Sequence, residues 1–318
     1  MDDSDSRMTM TRRSLLQAAA GAGALLAAPA TAFAAAPAGF DAWRDGFEAK
    51  ARARGISDQT YRSVMGRIEP DMSVFAKMRN QPEFHEQVWQ YINRRVSDWR
   101  LIAGKEALRK NQSLFARIEQ DFGVERGTLL ALWGVESAYG DPLVQQNHMR
   151  PVFPSLAALA WHEPRRRAYW ETELINALKI VQRGWSTPAE MRGSWAGAMG
   201  HTQWMPEVWL NVGFDYDGDG RVSPFGKPDD ALGSTARYLV KRGKYHRNEH
   251  WGFEVRVPSG ASDGSRSYAA WSSAGVTRAD GRPFPQPNAT AKLWTPVQGG
   301  PSFLLGPNFY SVRSYNPS

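Results

Sequence analysis

The sequence predicts a mainly α-helical protein with a minor β element, which is an α+β fold. Up to about position 238, apolar and aromatic residues recur at the spacings of three and four that are typical of amphipathic helices. The alternation that is typical of a strand occurs only beyond about position 250. Hydrophobic residues make up 42% of the 318 positions, which is enough to build one substantial core.

The first 36 residues have the features of an export signal. Arg12 and Arg13 precede an apolar stretch from Ala18 to Phe33 that is rich in alanine and glycine. We interpret positions 1–36 as a twin-arginine signal peptide and expect the mature protein in the periplasm. The stretch is short for a bilayer-spanning helix, which needs about 20 strongly apolar residues. We therefore expect no stable membrane anchor, and an uncleaved anchor is the alternative.

The region after the signal is predicted to be helical. An N-terminal helical region spans residues 37–108, where aromatic residues recur among charged ones at helical spacing. A second helix is predicted at Ser113–Phe122, with Gly123 as its stop. The largely apolar stretch Val124–Tyr139 predicts a third, and Gly140 is placed to end it.

The next part of the chain contains several helix-start signals. Ser155 is a predicted N-cap for a helix at Leu156–Trp161. The stretch Pro164–Gln182 begins with a proline, which fits the first position of a helix. Thr187–Glu190 has a capping pattern that predicts a short helix, and a further helix is predicted at Asp230–Tyr238.

The β element is predicted near the C-terminus. Glu254–Val257 alternates between polar and apolar residues and is followed by Pro258, Ser259 and Gly260, which indicates a strand that ends in a turn. A small strand-containing lobe therefore spans about 250–310. After the signal, we divide the chain into the helical region 37–108, a core region 109–249, and a segment 250–318 that holds the lobe.

The charge balance favours an anionic partner. The sequence has 39 Lys and Arg against 32 Asp and Glu, a formal net charge of +7 and a pI near 9.7. For an exported protein the wall polymer is the better expectation, since no helix-turn-helix or RNA-binding signature favours nucleic acid. A surface that is basic only for solubility is the alternative. With 0 Cys, disulfides and a cysteine-linked lipid are excluded.

Glu136 is the candidate catalytic residue. Leu129, Leu132 and Trp133 precede it by seven, four and three positions, so these side chains project from one side of the helix. A carboxyl group among Leu and Trp is desolvated, which raises its pKa as a general acid near neutral pH requires. A structural hydrogen-bonding role for an inward glutamate is the alternative.

The glycine-rich stretch 193–206 has the composition of a carbohydrate site. Its small residues permit close approach of a ligand to the backbone. Trp195 and Trp204 are suited to stacking on sugar rings, and Ser194 and Gln203 offer hydrogen bonds to hydroxyl or acetamido groups. The alternative is a tight glycine turn that packs under tryptophans.

An acidic loop that begins at Asp215 predicts a calcium site. Aspartates occupy positions 1, 3 and 5 of an EF-hand pattern, and Gly220 occupies position 6. Position 12, where the pattern has Glu, is Gly226, so Asp229 or Asp230 has to supply the return ligand. A solvated acidic turn is the alternative.

These three motifs, in this order, resemble the lytic murein transglycosylase B family, glycoside hydrolase family 103. The resemblance covers residues 40–318, and its most specific parts are G-V-E-S-A-Y-G and G-S-W-A-G-A-M-G with Q-W-M-P. It implies a lysozyme-like catalytic core flanked by the helical region and the small β lobe. Trp195 and Trp204 depart from the Tyr and Phe that the family usually shows. The family continues past the position of Ser318 into a helix with a cleft tyrosine, so the resemblance implies a truncated final core segment.

The resemblance also implies roles for single residues. The family's catalytic glutamate falls on Glu136. The implied substrate-binding residues are Ser194, Gln203, Tyr315 and Asn316. The implied calcium ligands are Asp215, Asp217, Asp219, the Arg221 carbonyl and, with a shift of one position, Asp230.

The implied activity is cleavage of the β-1,4 bond between N-acetylmuramic acid (MurNAc) and N-acetylglucosamine (GlcNAc) in peptidoglycan, which leaves 1,6-anhydro-MurNAc ends. Catalysis then needs no cofactor, and calcium is structural. We expect a monomer whose partner is the glycan strand and which binds no nucleic acid. A hydrolytic muramidase, which needs a second carboxylate, and a wall-binding protein without activity are the alternatives.

Overall fold

Among the residues that the structure describes, helices dominate, and two small antiparallel sheets accompany them. The computed structural model describes residues 37–80, 87–142, 148–259 and 264–316. The predicted α+β fold class, mainly helical, is confirmed for these residues. The predicted signal peptide at 1–36 lies outside them. Within the described ranges, no helix combines the length and the apolar character that crossing a membrane requires.

The first seven helices form the N-terminal part of the described chain, and the last of them contains Glu136. They are α1 (Phe40–Ala53), α2 (Asp58–Met65), α3 (Val74–Arg79), α4 (Val88–Arg95), α5 (Asp98–Lys110), α6 (Gln112–Phe122) and α7 (Arg126–Ser137). Later helices alternate with short strands. They are α8 (Val152–His162), α9 (Arg167–Gln182), α10 (Pro206–Asn211), α11 (Asp229–Lys241), α12 (Tyr268–Ser273) and α13 (Pro307–Arg313). Gly123 ends α6 in the left-handed conformation, which confirms its predicted role as the stop.

Two sets of strands complete the fold. Strand β1 (Arg150–Pro151) pairs with β2 (Arg192–Gly193) in antiparallel fashion, directly before the glycine-rich stretch. The lobe is an antiparallel five-stranded sheet, with the order β4-β6-β7-β3-β5. Its strands are β3 (Gly252–Arg256), β4 (Ser265–Ser267), β5 (Thr277–Arg278), β6 (Thr290–Trp294) and β7 (Ser302–Leu305). The strand predicted at Glu254–Val257 is β3, and it begins two residues earlier.

In the part of the chain that the structure describes, buried apolar side chains form three clusters. The first joins α1 and α2 to α8 and α9 and includes Phe47. The second joins α6, α7 and α11 and includes Phe115 and Trp133, and Val312 of α13 packs against it. The third lies within the lobe around Trp271. Burial of one large apolar side chain contributes roughly 1.5–3 kcal/mol to the stability of the fold. The second cluster, which buries Leu129 and Trp133 of α7, therefore fixes the helix that contains Glu136.

Helices α6, α7 and α11 begin within two residues of their predicted starts, whereas α8 and α9 begin three or four residues away. Helix α8 begins at Val152, before the predicted cap Ser155, whose hydroxyl donates to a main-chain carbonyl one turn back at 3.1 Å. Helix α9 begins at Arg167 rather than Pro164, and in the turn before it the carboxylate of Glu163 accepts two backbone N–H groups at 3.2 and 2.6 Å.

The short helix predicted at Thr187–Glu190 is wrong, because these residues form a turn. The reciprocal capping bonds exist: the N–H of Thr187 donates to Glu190 Oε2 at 2.9 Å, and the N–H of Glu190 donates to Thr187 Oγ1 at 3.3 Å. The chain then enters β2, whose pairing with β1 holds it extended. Strand pairing therefore prevents the helix from propagating.

Candidate active site

Glu136 lies in the last turn of α7, directly before a sharp change of chain direction. Ala138 and Tyr139 have φ values of 51° and 63°, and Gly140 follows with 76°. The left-handed conformation costs roughly 1–2 kcal/mol for a residue with a Cβ. The N–H groups of Ala138 and Tyr139 donate to carbonyls of the last turn at 3.0 and 3.4 Å, which closes the helix end.

The side chain of Glu136 lines a cavity of about 720 Å³. Leu132, one turn earlier, lines the same cavity, whereas Leu129 and Trp133 are buried in the second cluster. Burial raises the pKa of Glu136 to about 7, and the positive charge of Arg95 on α4 opposes part of this rise. Near neutral pH the group therefore exists in both the protonated and the ionised form.

The glycine-rich stretch forms a tight hairpin after β2. Met199 and Trp204 pair across it through two N–H···O bonds of 2.9 and 2.8 Å. The Ser194 hydroxyl accepts a backbone N–H at 3.2 Å, and the Gln203 amide donates to a backbone carbonyl at 3.0 Å. Trp204 is only 1% exposed because it packs in the first cluster, so the expected stacking on sugars is wrong for it. Trp195 remains partly exposed.

Hydrogen bonds hold this hairpin against α7 and against the end of α13. Ser137, next to Glu136, donates its hydroxyl to the carbonyl of His201 at 2.6 Å. Tyr315 donates its hydroxyl to the carbonyl of Thr202 at 2.6 Å. Burial raises the pKa of Tyr315, and the negative charge of Glu136 raises it further, so the two side chains lie within electrostatic reach of each other.

The structure brings part of the predicted substrate site together. Asn316 lines the cavity that Glu136 lines, and Tyr315 lies close to Glu136. Ser194 and Gln203 lie on the hairpin that α7 contacts, but they are not among the residues that line this cavity. Hydrogen bonds from Ser137 and Tyr315 to the carbonyls of residues 201 and 202 thus connect the hairpin to the two segments that carry Glu136 and Asn316.

Sequence reasoning missed several residues around Glu136. Tyr91 of α4 and Trp251 line the same cavity, and Arg95 acts on the carboxyl through its charge. These residues lie far from Glu136 in the sequence and belong to no local motif, so only the packing of α4 and the lobe reveals them. His201 lies within the glycine-rich stretch 193–206, but the sequence does not reveal the hydrogen bonds that its ring makes with Trp133 and Gly226.

Three of the predicted calcium ligands converge, two from the acidic loop and one from the first turn of α11. Oxygen atoms of Asp215, Asp217 and Asp230 lie within 4.8 Å of one another. Asp215 accepts backbone N–H groups of the loop at 2.7, 3.1 and 2.8 Å, and Asp230 accepts two more at 2.7 and 2.9 Å. The ammonium group of Lys227 lies 3.3 Å from Asp217 Oδ2. The Lys227 ammonium group thus forms an ion pair with one of the three converging carboxylates.

The other two predicted ligands lie outside this group of three carboxylates. Asp219 accepts the backbone N–H of Arg221 at 2.9 Å. Both residues line a cavity of about 600 Å³ beside the loop, together with Asp217 and Asp230. Asp230, rather than Asp229, is the residue that reaches back to the loop, and burial raises its pKa.

Residues 39–318 match the protein family described as the Transglycosylase SLT domain. The chain belongs to this family. Over 206 residues, the chain is 29% identical to membrane-bound lytic murein transglycosylase B of Escherichia coli (strain K12). This alignment covers 64% of the present chain and 55% of the E. coli protein, so the chain matches about half of that relative's length.

Solved structures of lytic transglycosylases have the same fold as this chain. The crystal structure of SltB3 from Pseudomonas aeruginosa in complex with NAG-NAM-pentapeptide has a TM-score of 0.79 and 35% identity, and covers 89% of this chain and 76% of that chain. The E. coli lytic transglycosylase Slt35 in complex with calcium has a TM-score of 0.70 and 25% identity, with coverages of 86% and 87%. These likenesses confirm the resemblance and the lysozyme-like core that it implied.

Proposed function

We propose that this protein is a lytic transglycosylase that cleaves the MurNAc–GlcNAc β-1,4 bond of peptidoglycan and leaves 1,6-anhydro-MurNAc ends. The observation that carries the proposal is the position of Glu136, a partly buried carboxyl group with a pKa of about 7 on the wall of a large cavity. Such a group is suited to giving and taking a proton at neutral pH. Membership of the Transglycosylase SLT domain family supports the same activity.

Glu136 acts twice in the proposed reaction. In its protonated form it donates its proton to the glycosidic oxygen of the leaving GlcNAc, while the bond from that oxygen to C1 of MurNAc breaks. In its ionised form it then accepts the proton of the C6 hydroxyl of the same MurNAc, and O6 forms a bond to C1. The proton returns to Glu136, so the enzyme is restored. Well-oriented attack within one molecule is worth roughly 7–11 kcal/mol, which makes a bound water unnecessary.

The arrangement of carboxylates supports a reaction with a single acid. Among the described residues that line the cavity, Glu125 is the other acid. It is the N-cap of α7, and at 1.5 Å per residue its backbone lies about 16 Å from that of Glu136 along the helix. The Glu125 carboxylate also contacts His250 Nδ1 at 3.1 Å. Hydrolytic glycosidases place two carboxyl groups about 5–9.5 Å apart. The backbone separation of Glu125 and Glu136 along α7 does not favour such a short distance between their carboxyl groups.

We further propose that Ser194, Gln203, Tyr315 and Asn316 contact the glycan strand. Ser194 and Gln203 are on the hairpin that hydrogen bonds tie to α7, and Asn316 lines the cavity of Glu136. Tyr315 lies near Glu136 and holds the hairpin through the Thr202 carbonyl. Binding a sugar here requires Ser194 and Gln203 to use their remaining hydrogen-bonding capacity.

Calcium has a structural role in this proposal. Asp215, Asp217 and Asp230 offer hard oxygen ligands that converge, as calcium requires, and Asp219 with the Arg221 carbonyl completes the proposed set. When bound, the ion neutralises the like charges of the loop and takes no part in the reaction. The calcium complex of E. coli Slt35, at 25% identity, supports this assignment.

The proposed site of action is the periplasm, after export by a twin-arginine signal at 1–36. The protein works there as a monomer on glycan strands, with no stable membrane anchor and no nucleic-acid partner. The relative from E. coli is named a lytic murein transglycosylase, which supports peptidoglycan as the substrate. The net charge of +7 suits an anionic wall polymer.

Mass spectrometry of the products from purified peptidoglycan tests the proposal. We expect anhydro-MurNAc ends from the wild-type protein and none from Glu136→Gln. Glu254→Gln, which changes an exposed carboxylate on β3, is the matched control and should act like the wild type. Reducing MurNAc ends would make the protein a hydrolytic muramidase. Binding to the wall without any cleavage, equal in both variants, would make it a wall-binding protein.

A further inference from the structure

His201 connects three parts of the site by hydrogen bonds. Trp133 Nε1 lies 3.2 Å from His201 Nδ1, and His201 Nε2 lies 2.8 Å from the carbonyl oxygen of Gly226. The backbone N–H of His201 donates to the carbonyl of Pro224 at 3.0 Å, and its carbonyl accepts the hydroxyl of Ser137 at 2.6 Å. Two of the partners belong to α7, and two belong to the segment that follows the acidic loop.

The partners determine which ring nitrogen of His201 carries the hydrogen. The indole N–H of Trp133 only donates, so Nδ1 of His201 must be the unprotonated acceptor. The carbonyl of Gly226 only accepts, so Nε2 must carry the hydrogen. Burial lowers the pKa of His201, which favours the same neutral ring. His201 therefore has one complementary partner at each end of its ring.

The α7 partners of His201 lie on either side of Glu136 in the chain. Trp133 is one helical turn before Glu136, and Ser137 directly follows it. Holding both fixes the direction of the Cα–Cβ bond of Glu136 relative to the hairpin. Since α7 ends immediately afterwards in left-handed residues, the α-helix does not continue past Glu136 and Ser137 to support them from the C-terminal side.

The sequence leaves room for this close approach. Gly140 and Gly200 have φ values of 76° and 72°, which favour glycine. A Cβ on Gly140 would collide with the ring of His201, and a Cβ on Gly200 would collide with the carbonyl oxygen of Pro224. A larger residue at position 140 would therefore displace the ring of His201. A larger residue at position 200 would displace the Pro224 carbonyl that accepts the backbone N–H of His201.

We infer that His201 is a positioning residue for Glu136, and that it locks the last turn of α7 against the segment 224–226 that follows the acidic loop. This inference rests on the proposed function, because the role concerns the reaction of Glu136. His201 itself touches no reacting atom. Its contribution is geometric, since an error of about 1 Å in the place of a catalytic group costs up to about 100-fold in rate.

The first test compares two substitutions at His201. His201→Leu removes both ring hydrogen bonds while keeping a similar volume, and we expect kcat to fall about 10- to 100-fold with KM changed less than about threefold. His201→Gln restores one acceptor and one donor at about the same separation, so we expect kcat to stay within about threefold of the wild type. Unchanged kcat in folded His201→Leu would overturn the inference, and so would equal losses in both variants.

A second test removes only the partner's donor. Trp133→Phe deletes the indole N–H that reaches His201, and we expect it to lower kcat by a similar factor. Trp170→Phe is the matched control, since Trp170 is also 3% exposed but its indole N–H has no hydrogen-bond partner. It should leave kcat unchanged. Equal effects of the two substitutions would assign the loss to packing and reject the inference.

A third measurement needs no substrate. In ¹⁵N NMR spectra of the wild-type protein, we expect His201 Nδ1 to resonate as an unprotonated nitrogen and Nε2 as a protonated one. The opposite tautomer, or rapid exchange between the two, would contradict the lock. This result is independent of the product analysis. An active Glu136→Gln variant would therefore reject the proposed function while the NMR result still decides whether His201 is held as described.

Discussion

Replacing Glu136 with Gln should stabilise the protein, and the gain should grow with pH. Burial raises the pKa of Glu136 from 4.5 to about 7, and each pKa unit corresponds to about 1.4 kcal/mol, so the ionised group costs the folded state about 3 kcal/mol. The folded-state pKa lies above that of the unfolded chain, so folding binds a proton between these values. The cost is therefore absent below about pH 4.5 and complete above about pH 7.

The measurement is thermal unfolding of both proteins at several pH values between 5 and 8. For a protein of this size, a stability difference of 1 kcal/mol shifts Tm by roughly 1.5–2 °C, so Glu136→Gln should melt roughly 5–6 °C higher at pH 8. The difference should shrink steadily toward pH 5. Other titrating groups, such as buried Glu173, are common to both proteins and cancel. A Tm difference that does not change with pH would refute the raised pKa and, with it, the reasoning on the general acid.

Three further outcomes are expected. The value of kcat/KM should fall about tenfold per pH unit above pH 7, because only protonated Glu136 donates the first proton; a rate that is flat from pH 6 to 9 would contradict this. Tyr315→Phe should lower the free energy of unfolding in urea by about 1–3 kcal/mol, because the Thr202 carbonyl loses its donor at 2.6 Å. Calcium at about 100 times its Kd should raise Tm by roughly 4–5 °C, and Asp217→Asn should remove this response.

Local signals in the sequence were sufficient for much of the fold. The stop of α6 at Gly123 follows from the need for a left-handed residue at a helix end, a requirement that does not depend on distant contacts. The mainly helical class follows from periodicity in the same way. The position of Glu136 beside Leu132 on α7 was also predictable, because helical spacing alone determines which side chains share a face.

The failures occur where distant packing overrides a local signal. The capping bonds of Thr187 and Glu190 form, yet the pairing of β2 with β1 holds the next residues extended. Trp204 has the chemistry for stacking on sugars, but the first cluster encloses it. Arg95 reaches the neighbourhood of Glu136 only through the placement of α4, which no motif encodes. In each case, residues far apart in the chain decide the outcome.

A raised pKa alone would not have distinguished the candidate acid, because two glutamates among the described residues have one. Burial also raises the pKa of Glu173 to about 7, but Glu173 is 3% exposed and accepts the backbone N–H of Glu207 at 2.9 Å. That bond supports the first turn of α10, where a carboxylate is favourable. Glu136 differs in lining a cavity large enough for a sugar and in having its helical turn held by His201. Access and fixed orientation, rather than proton affinity, therefore separate a group that works on a substrate from one that holds the fold.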